Sequence, residues 1–222
     1  MLVATVFDLD ETLADSAATW QHVIGAVATR HGYAWTPDDW AAIQGTSTGS
    51  WSAYLAHRCV GLTPEAAATA CLDGMVAALG EGRFGLLPGA ADLVATAAAL
   101  GPVGLVSASP GRYVRAAITA FGLGRHLATT VTGDDVRCGK PAPDPYLLAA
   151  RRLDVPPRQC VAVEDSGSGI RSAHAAGLTV LAIPNATTAL DLDVLKLAAH
   201  HATDAYIAAK TLLSLIGGRR PG

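Results

Sequence analysis

Two acidic residues near the start of the chain stand where an apolar run ends. Residues 3–7 have the length and β-branched content of a buried strand, and Asp8 and Asp10 follow it one residue apart. Ligands of open α/β sheets bind just outside the carboxyl ends of the strands. Two neighbouring carboxylates repel each other unless a cation lies between them, and Mg2+ prefers oxygen ligands of this kind. The stretch indicates a magnesium site, although an Asp-rich turn after a strand remains the alternative.

Further polar residues follow apolar runs later in the chain. Ser107 ends the run at residues 103–106, and Glu164 and Asp165 close the run at residues 160–163. Lys140, the only lysine before Lys196, precedes a Pro-Ala-Pro-Asp segment whose prolines restrict the backbone. A solvated lysine and an acidic pair that caps the next helix are the structural alternatives for these positions.

Together these positions resemble a known family. The pattern Phe-Asp-x-Asp-x-Thr-Leu at residues 7–13, followed in order by Ser107, Lys140 and the Glu164-Asp165 pair, is similar to the haloacid-dehalogenase-like superfamily of phosphatases and phosphomutases. The resemblance covers nearly the whole chain and points to the phosphoglycolate phosphatase, sugar phosphatase and β-phosphoglucomutase-like branch. It is much less specific for the substrate.

The resemblance implies roles for the acidic residues. Asp8 takes the position of the nucleophile that forms an aspartyl-phosphate, and Asp10 takes the position of the general acid and base. Mg2+ is the implied cofactor. Its expected ligands are Asp8, the peptide carbonyl of Asp10, and Asp165, with Glu164 assisting directly or through water.

Phosphoryl transfer also needs positive charge and hydrogen-bond donors around the phosphate oxygens. On the same resemblance, Ser107 and Lys140 bind the phosphate. The backbone N–H of Ala108 is expected to donate a further hydrogen bond.

The order of predicted elements indicates two domains. From residue 86 onward helices alternate with strands, which is typical of a Rossmann-like parallel sheet flanked by helices. Residues 15–83 read as four helical segments, and we expect them to form a small α-helical cap inserted after the first strand. The α/β core then comprises residues 1–14 and 84–222. Gly80 to Gly85 is a predicted hinge, and residues 217–222 read as a frayed end.

Specificity is expected to come from the cap. All four tryptophans lie within residues 15–83, where they can fill a small helical core or face the cleft. Trp20 occupies the position of a histidine in the β-phosphoglucomutase branch. The polar, glycine-containing loop at residues 44–50 corresponds to a substrate-selecting loop of related caps. Trp20, Thr46 and Ser47 are therefore the candidate specificity residues.

The favoured function is a Mg2+-dependent phosphatase that acts on a small phosphorylated metabolite, such as a sugar phosphate or phosphoglycolate. A β-phosphoglucomutase-like phosphomutase is an alternative, but it must bind a second phosphate, and the predicted cap offers only Arg30, Arg58 and Arg83 as cations. A catalytically idle protein with this fold is the other alternative. Asp10 argues against a dehalogenase, which needs no acid for an alcohol leaving group.

The composition limits the classes of partner that we expect this protein to bind. The 222 residues carry a formal net charge of −3 without a basic run, so we expect no nucleic-acid partner. The most apolar stretch, residues 93–106, is interrupted by Gly101 and Pro102, and we expect no membrane partner. The four cysteines have no paired spacing, and the first strand leaves no room for a signal peptide, which favours the cytoplasm. The oligomeric state stays open.

Overall fold

A six-stranded parallel sheet forms the centre of the molecule. The computed structural model describes residues 1–185, 188 and 190–218. The strands are β1 Ala4–Phe7, β2 Val103–Val106, β3 Thr129–Val131, β4 Cys160–Glu164, β5 Thr179–Ala182 and β6 His200–His201. Their order in the sheet is β3-β2-β1-β4-β5-β6, and every neighbouring pair is parallel. The predicted Rossmann-like core is confirmed.

Ten α-helices are seen in the described part of the chain. They are α1 Ala17–Arg30, α2 Pro37–Ile43, α3 Thr48–Arg58, α4 Pro64–Gly80, α5 Ala90–Leu100, α6 Gly111–Ala120, α7 Asp144–Arg152, α8 Gly167–Ala175, α9 Leu192–Leu195 and α10 Ala205–Leu212. A π-helical turn, Leu213–Gly217, follows α10. Residues 219–222 of the predicted frayed end lie outside the described residues. None of the described helices is long and apolar enough to cross a membrane.

Helices cover both faces of the sheet. Alternate strand residues point to opposite faces. Phe7 and Val163 pack in one apolar cluster with residues of α5, α6 and α10. Val6 and Ala162 belong to a second cluster with residues of α7 and α8. This arrangement leaves the carboxyl edge of the sheet open for a site.

Helices α1 to α4 lie between β1 and α5 in the chain, and we call residues 15–83 the insert. The two segments that connect the insert to the rest of the chain run side by side. Ala14 forms an antiparallel bridge with Leu86. The Asp15 N–H donates to the Gly85 carbonyl at 3.0 Å, and the Leu87 N–H donates to the Leu13 carbonyl at 2.8 Å. The predicted helical insertion after the first strand is present, and its junction is narrow.

A buried carboxylate organises the insert. Asp39 accepts hydrogen bonds from the hydroxyls of Thr36 at 2.7 Å, Tyr33 at 2.8 Å and Tyr54 at 2.9 Å. The Arg58 guanidinium lies 3.6 Å away. Burial raises the pKa of Asp39, but the hydrogen bonds outweigh burial and hold this pKa at about 2. The carboxylate therefore ties α2 to α3 and to the loop before α2.

Replacing Asp39 with alanine is expected to lower the free energy of unfolding by about 3 kcal/mol at pH 7, because several donors lose their acceptor. Urea unfolding followed by circular dichroism measures the change. Because the pKa is lowered on folding, the contribution is full above the ordinary value of 3.8 and is lost as the pH falls towards 2. The exposed neighbour provides the control, Asp38→Ala. Equal stability of the two variants at pH 7 would contradict the assigned role.

Candidate active site

Three carboxylates meet at the carboxyl edge of the sheet. Asp8 follows β1, and its N–H donates to the Val163 carbonyl of the adjacent strand β4 at 3.0 Å. Glu164 ends β4, and Asp165 follows it. Carboxylate oxygens of Asp8, Glu164 and Asp165 lie within 4.8 Å of one another, and all three residues are buried. The sheet order therefore brings together acidic residues that are far apart in the sequence.

Lys140 lies among these carboxylates. Its Nζ donates to Asp8 Oδ1 at 2.6 Å, to the Val106 carbonyl at 3.2 Å and to Glu164 Oε1. The ammonium also lies 5.3 Å from the ring centre of Tyr146. Burial lowers the pKa of Lys140, but the charges of Asp8 and Glu164 outweigh it, so the net shift is upward. The lysine is therefore positively charged at the floor of the site.

One ammonium does not balance three carboxylates. Burial is the main cause that raises the pKa of Asp8 to about 7, and the charge of Lys140 offsets this only in part. Burial, with the charges of Asp8 and Glu164, also raises the pKa of Asp165 well above its usual value. The Thr12 hydroxyl donates to Asp165 Oδ1 at 2.8 Å. The excess negative charge and the oxygen-only donors fit a hard divalent cation.

Glu164 is held on both carboxylate oxygens. Oε1 accepts from Lys140 and from the Tyr146 hydroxyl at 2.7 Å. Oε2 accepts from the Ser166 hydroxyl at 3.0 Å and from the Ser166 and Asp165 N–H groups at 3.2 Å. A Cβ atom at Gly169 would overlap this carboxylate, so only glycine fits there. These contacts make Glu164 a fixed anchor for Lys140.

Asp10 connects the core with the insert. Its Oδ1 accepts from the Tyr113 hydroxyl at 2.7 Å, from the Ser16 hydroxyl at 2.8 Å and from Trp20 Nε1 at 3.4 Å. Its Oδ2 accepts from the Ser109 hydroxyl at 3.0 Å. Tyr113 and Ser109 belong to the core, whereas Ser16 and Trp20 belong to the insert. The position of the Asp10 carboxylate therefore depends on how the insert sits on the core.

A cavity of about 500 Å³ lies between the core and the insert. The predicted residues among its lining are Asp8, Asp10, Ser107, Ala108, Lys140, Asp165, Trp20 and Thr46. Glu164 lies beneath the floor and is fully buried. Ser47 is not among the described lining residues: it precedes α3, and its hydroxyl accepts from the Ser50 N–H at 3.3 Å.

Several residues of the site were missed by the sequence analysis. Tyr113 and Ser16 hold Asp10, and Tyr146 holds Glu164. The sequence does carry a weak signal for the two tyrosines. Each lies in the first turn of a helix that begins shortly after a predicted phosphate-binding residue, Ser107 or Lys140. A hydroxyl at such a place points back towards the edge of the sheet.

The chain is similar to the protein CbbY and to a named phosphatase. It is 32% identical over 198 residues to CbbY of Rhodobacter capsulatus, covering 84% of this chain and 87% of that one. It is 30% identical over 201 residues to validoxylamine A 7'-phosphate phosphatase of Streptomyces hygroscopicus subsp. limoneus, covering 88% and 90%. A crystal structure of CbbY from Rhodobacter sphaeroides with phosphate has a TM-score of 0.82 and 28% identity, covering 92% of this chain and 95% of that one.

A mutant of that Rhodobacter sphaeroides protein has also been crystallised with xylulose-(1,5)bisphosphate. Residues 3–177 match the family model of haloacid dehalogenase-like hydrolases. That match spans most of the chain and includes all the predicted core residues of the site. The chain belongs to the haloacid dehalogenase-like hydrolase family.

Proposed function

We propose that this hydrolase is a Mg2+-dependent phosphatase that cleaves a small phosphorylated metabolite through an aspartyl-phosphate on Asp8. The main support is the position of the Asp8 carboxylate. It lies on the floor of the cavity, 2.6 Å from the Lys140 ammonium and close to Asp165. Asp8 is thus held beside a positive charge that a phosphoryl group also needs. The named relatives include a phosphatase.

Asp8 Oδ2 attacks the phosphorus atom, and the alcohol leaves from the opposite side. Lys140, the Ser107 hydroxyl and the Ala108 N–H stabilise the negative charge on the phosphoryl oxygens. Glu164 and Tyr146 keep Lys140 in place. Water then hydrolyses the aspartyl-phosphate, which restores the Asp8 carboxylate and releases phosphate.

Mg2+ would be held by the carboxylates of Asp8 and Asp165 and by the peptide carbonyl of Asp10. Glu164 would assist directly or through a water molecule. When bound, the cation polarises the phosphoryl group and offsets the excess negative charge. The buried, unbalanced carboxylates support Asp8 and Asp165 as ligands, whereas the Asp10 carbonyl is proposed from the family resemblance.

Magnesium binding has an expected effect on stability. Mg2+ at about one hundred times its Kd is expected to stabilise the wild type by about 3 kcal/mol. Asp165→Asn should lose this effect. Without Mg2+ the variant should be at least as stable as the wild type, because it removes one buried carboxylate and keeps an acceptor for Thr12. Thermal melts in EDTA and in MgCl2 measure both effects. Equal stabilisation of the two proteins by Mg2+ would contradict the ligand assignment.

Asp10 donates a proton to the leaving alcohol and later accepts one from the attacking water. Replacing it with asparagine is expected to slow turnover by about a hundredfold to ten-thousandfold. p-Nitrophenyl phosphate separates the two steps, because its leaving group needs little protonation. Rapid-quench kinetics with Asp10→Asn should show a burst of nitrophenol followed by slow phosphate release. If Asp10→Asn released nitrophenol and phosphate at the same rate, and as fast as the wild type, the acid–base role of Asp10 would be excluded.

We also infer that the insert, residues 15–83, is a cap domain over a core of residues 1–14 and 84–222. A contact across the cavity supports this: the Ser168 hydroxyl donates to the Gly45 carbonyl at 3.1 Å. A closed cap excludes water from the aspartyl-phosphate until the alcohol has left. We keep a cytoplasmic location as a prediction, consistent with four free cysteines.

Phosphate release from p-nitrophenyl phosphate is the direct test of the proposed function. Release should require Mg2+ and stop on addition of EDTA. Release that continues unchanged in EDTA would contradict the metal-dependent mechanism. If no phosphate were released from this compound or from a panel of sugar phosphates, the proposed phosphatase function would be wrong.

A further inference from the structure

The wall of the cavity that the insert forms is aromatic. Trp20, Trp40 and Trp51 line it together with Ile24 and Ile43. The rings of Trp20 and Trp51 have their centres 5.9 Å apart and meet edge to face. The Trp20 ring centre also lies 5.4 Å from that of Tyr113. The packing of these rings gives the wall a defined shape and a large apolar surface.

Positive charge is confined to the floor. Among the described lining residues, Lys140 is the only lysine or arginine, and it is already paired with Asp8 and Glu164. The other charged side chains among the described lining residues are acidic. They include Asp10 and Glu11, which precede the insert in the chain. A phosphoryl group on Asp8 therefore uses the one basic side chain among the described lining residues.

The three arginines of the insert lie outside the lining of the main cavity. Arg58 lies 5.0 Å from the ring centre of Tyr54 and 3.6 Å from Asp39. Arg83 pairs with Glu81 at 2.5 Å. Arg30 and Arg83 border a separate depression between α1 and α4. None of the three is among the residues that line the main cavity.

We propose that this enzyme selects phosphate monoesters of uncharged alcohols with an apolar face, and that it discriminates against a second phosphate or a carboxylate. The inference depends on the proposed phosphatase function and names its substrate class. The apolar face of the alcohol packs on Trp20, Trp40 and Trp51, while the phosphate occupies the floor. This preference differs from the bisphosphate bound in the related CbbY crystal structure.

The energetic reason is the cost of an unpaired anion. A second phosphate would enter the apolar wall without a cation and would approach Asp10 and Glu11. Burying an anion without a partner is strongly unfavourable, and each factor of ten in specificity corresponds to about 1.4 kcal/mol. We therefore expect kcat/KM to fall by at least about tenfold when a second phosphate is added to the same sugar.

The test compares matched compounds. kcat/KM for phosphate release is measured with fructose 6-phosphate, fructose 1,6-bisphosphate, phosphoglycolate and p-nitrophenyl phosphate. The two esters of uncharged alcohols, fructose 6-phosphate and p-nitrophenyl phosphate, should be the better substrates. A bisphosphate or phosphoglycolate turned over as well as these two would overturn the proposed selectivity while leaving the phosphatase intact. No release from any of the four would overturn the phosphatase and this inference with it.

A gain-of-charge variant makes the test specific to the cavity wall. Ala41 lines the cavity on α2 and is exposed, whereas its neighbour Ala42 is exposed but is not a lining residue. Lysine is well tolerated in helices, so both substitutions should preserve α2. Ala41→Lys should raise kcat/KM for the bisphosphate relative to the monophosphate by severalfold, and Ala42→Lys should not. The same ratio in both variants and the wild type would contradict the proposal.

Discussion

Asp8→Asn is expected to reduce phosphate release by at least about ten-thousandfold while the protein stays folded. An amide has the size and shape of a carboxylate, but it is a much weaker nucleophile and cannot form the aspartyl-phosphate. The side-chain amide oxygen of the variant can still accept from Lys140, and Lys140 keeps its second partner, Glu164. Removing one of the crowded carboxylates also relieves repulsion, so no loss of stability is expected.

Steady-state phosphate release and a thermal melt, measured on the same preparation, test this prediction. Asp154→Asn is a suitable control, because Asp154 is exposed and has a positive φ of 54°, which asparagine also adopts. The control should keep both activity and stability. Substantial turnover by Asp8→Asn would mean that another group attacks the phosphorus atom.

Lys140→Ala is expected to affect both catalysis and stability. Loss of one donor to the transferring phosphoryl group typically slows a reaction by about a hundredfold to a thousandfold. The substitution also leaves Asp8 and Glu164 buried without their cation, and breaking a buried ion pair in this way costs about 3–5 kcal/mol. The rate and the free energy of unfolding should therefore fall together.

Urea unfolding in EDTA isolates the stability effect, and phosphate release in MgCl2 reports the catalytic one. Lys196→Ala provides the matched control, because Lys196 is exposed and its ion pair is with the exposed Asp193 three residues away. Exposed pairs of this kind contribute little, so the control should behave like the wild type. If Lys140→Ala released phosphate at the wild-type rate, Lys140 would not bind the phosphoryl group, whatever the change in stability.

The sequence was sufficient to predict which core residues meet. Asp8, Ser107 and Asp165 each follow a strand, and the carboxyl ends of parallel strands share one edge of the sheet. Lys140 does not follow a strand directly. Its convergence with Asp8 was predicted from the family resemblance, and the structure supplies the physical reason in its contacts with Asp8 and Glu164.

Contacts between distant elements could not be predicted in this way. Tyr113 reaches Asp10 across 103 positions of the chain, and no local pattern specifies that pairing. The tail shows a different limit. Strand β6 is only His200–His201, which is too short to show an alternating pattern in the sequence, and α10 starts at Ala205. The Asp204 side chain accepts from the Ile207 N–H at 2.8 Å, and this cap sets the start of the helix.

The proposed intermediate can be observed directly. Asp10→Asn is mixed with p-nitrophenyl phosphate and MgCl2, quenched in acid within a single turnover and digested for mass spectrometry. We expect a transient phosphoryl group on the peptide that contains Asp8, formed with the nitrophenol burst and lost as phosphate appears. Phosphate release without phosphorylation of Asp8 at any time point, or phosphorylation of a different residue, would contradict the assignment of Asp8 as the nucleophile.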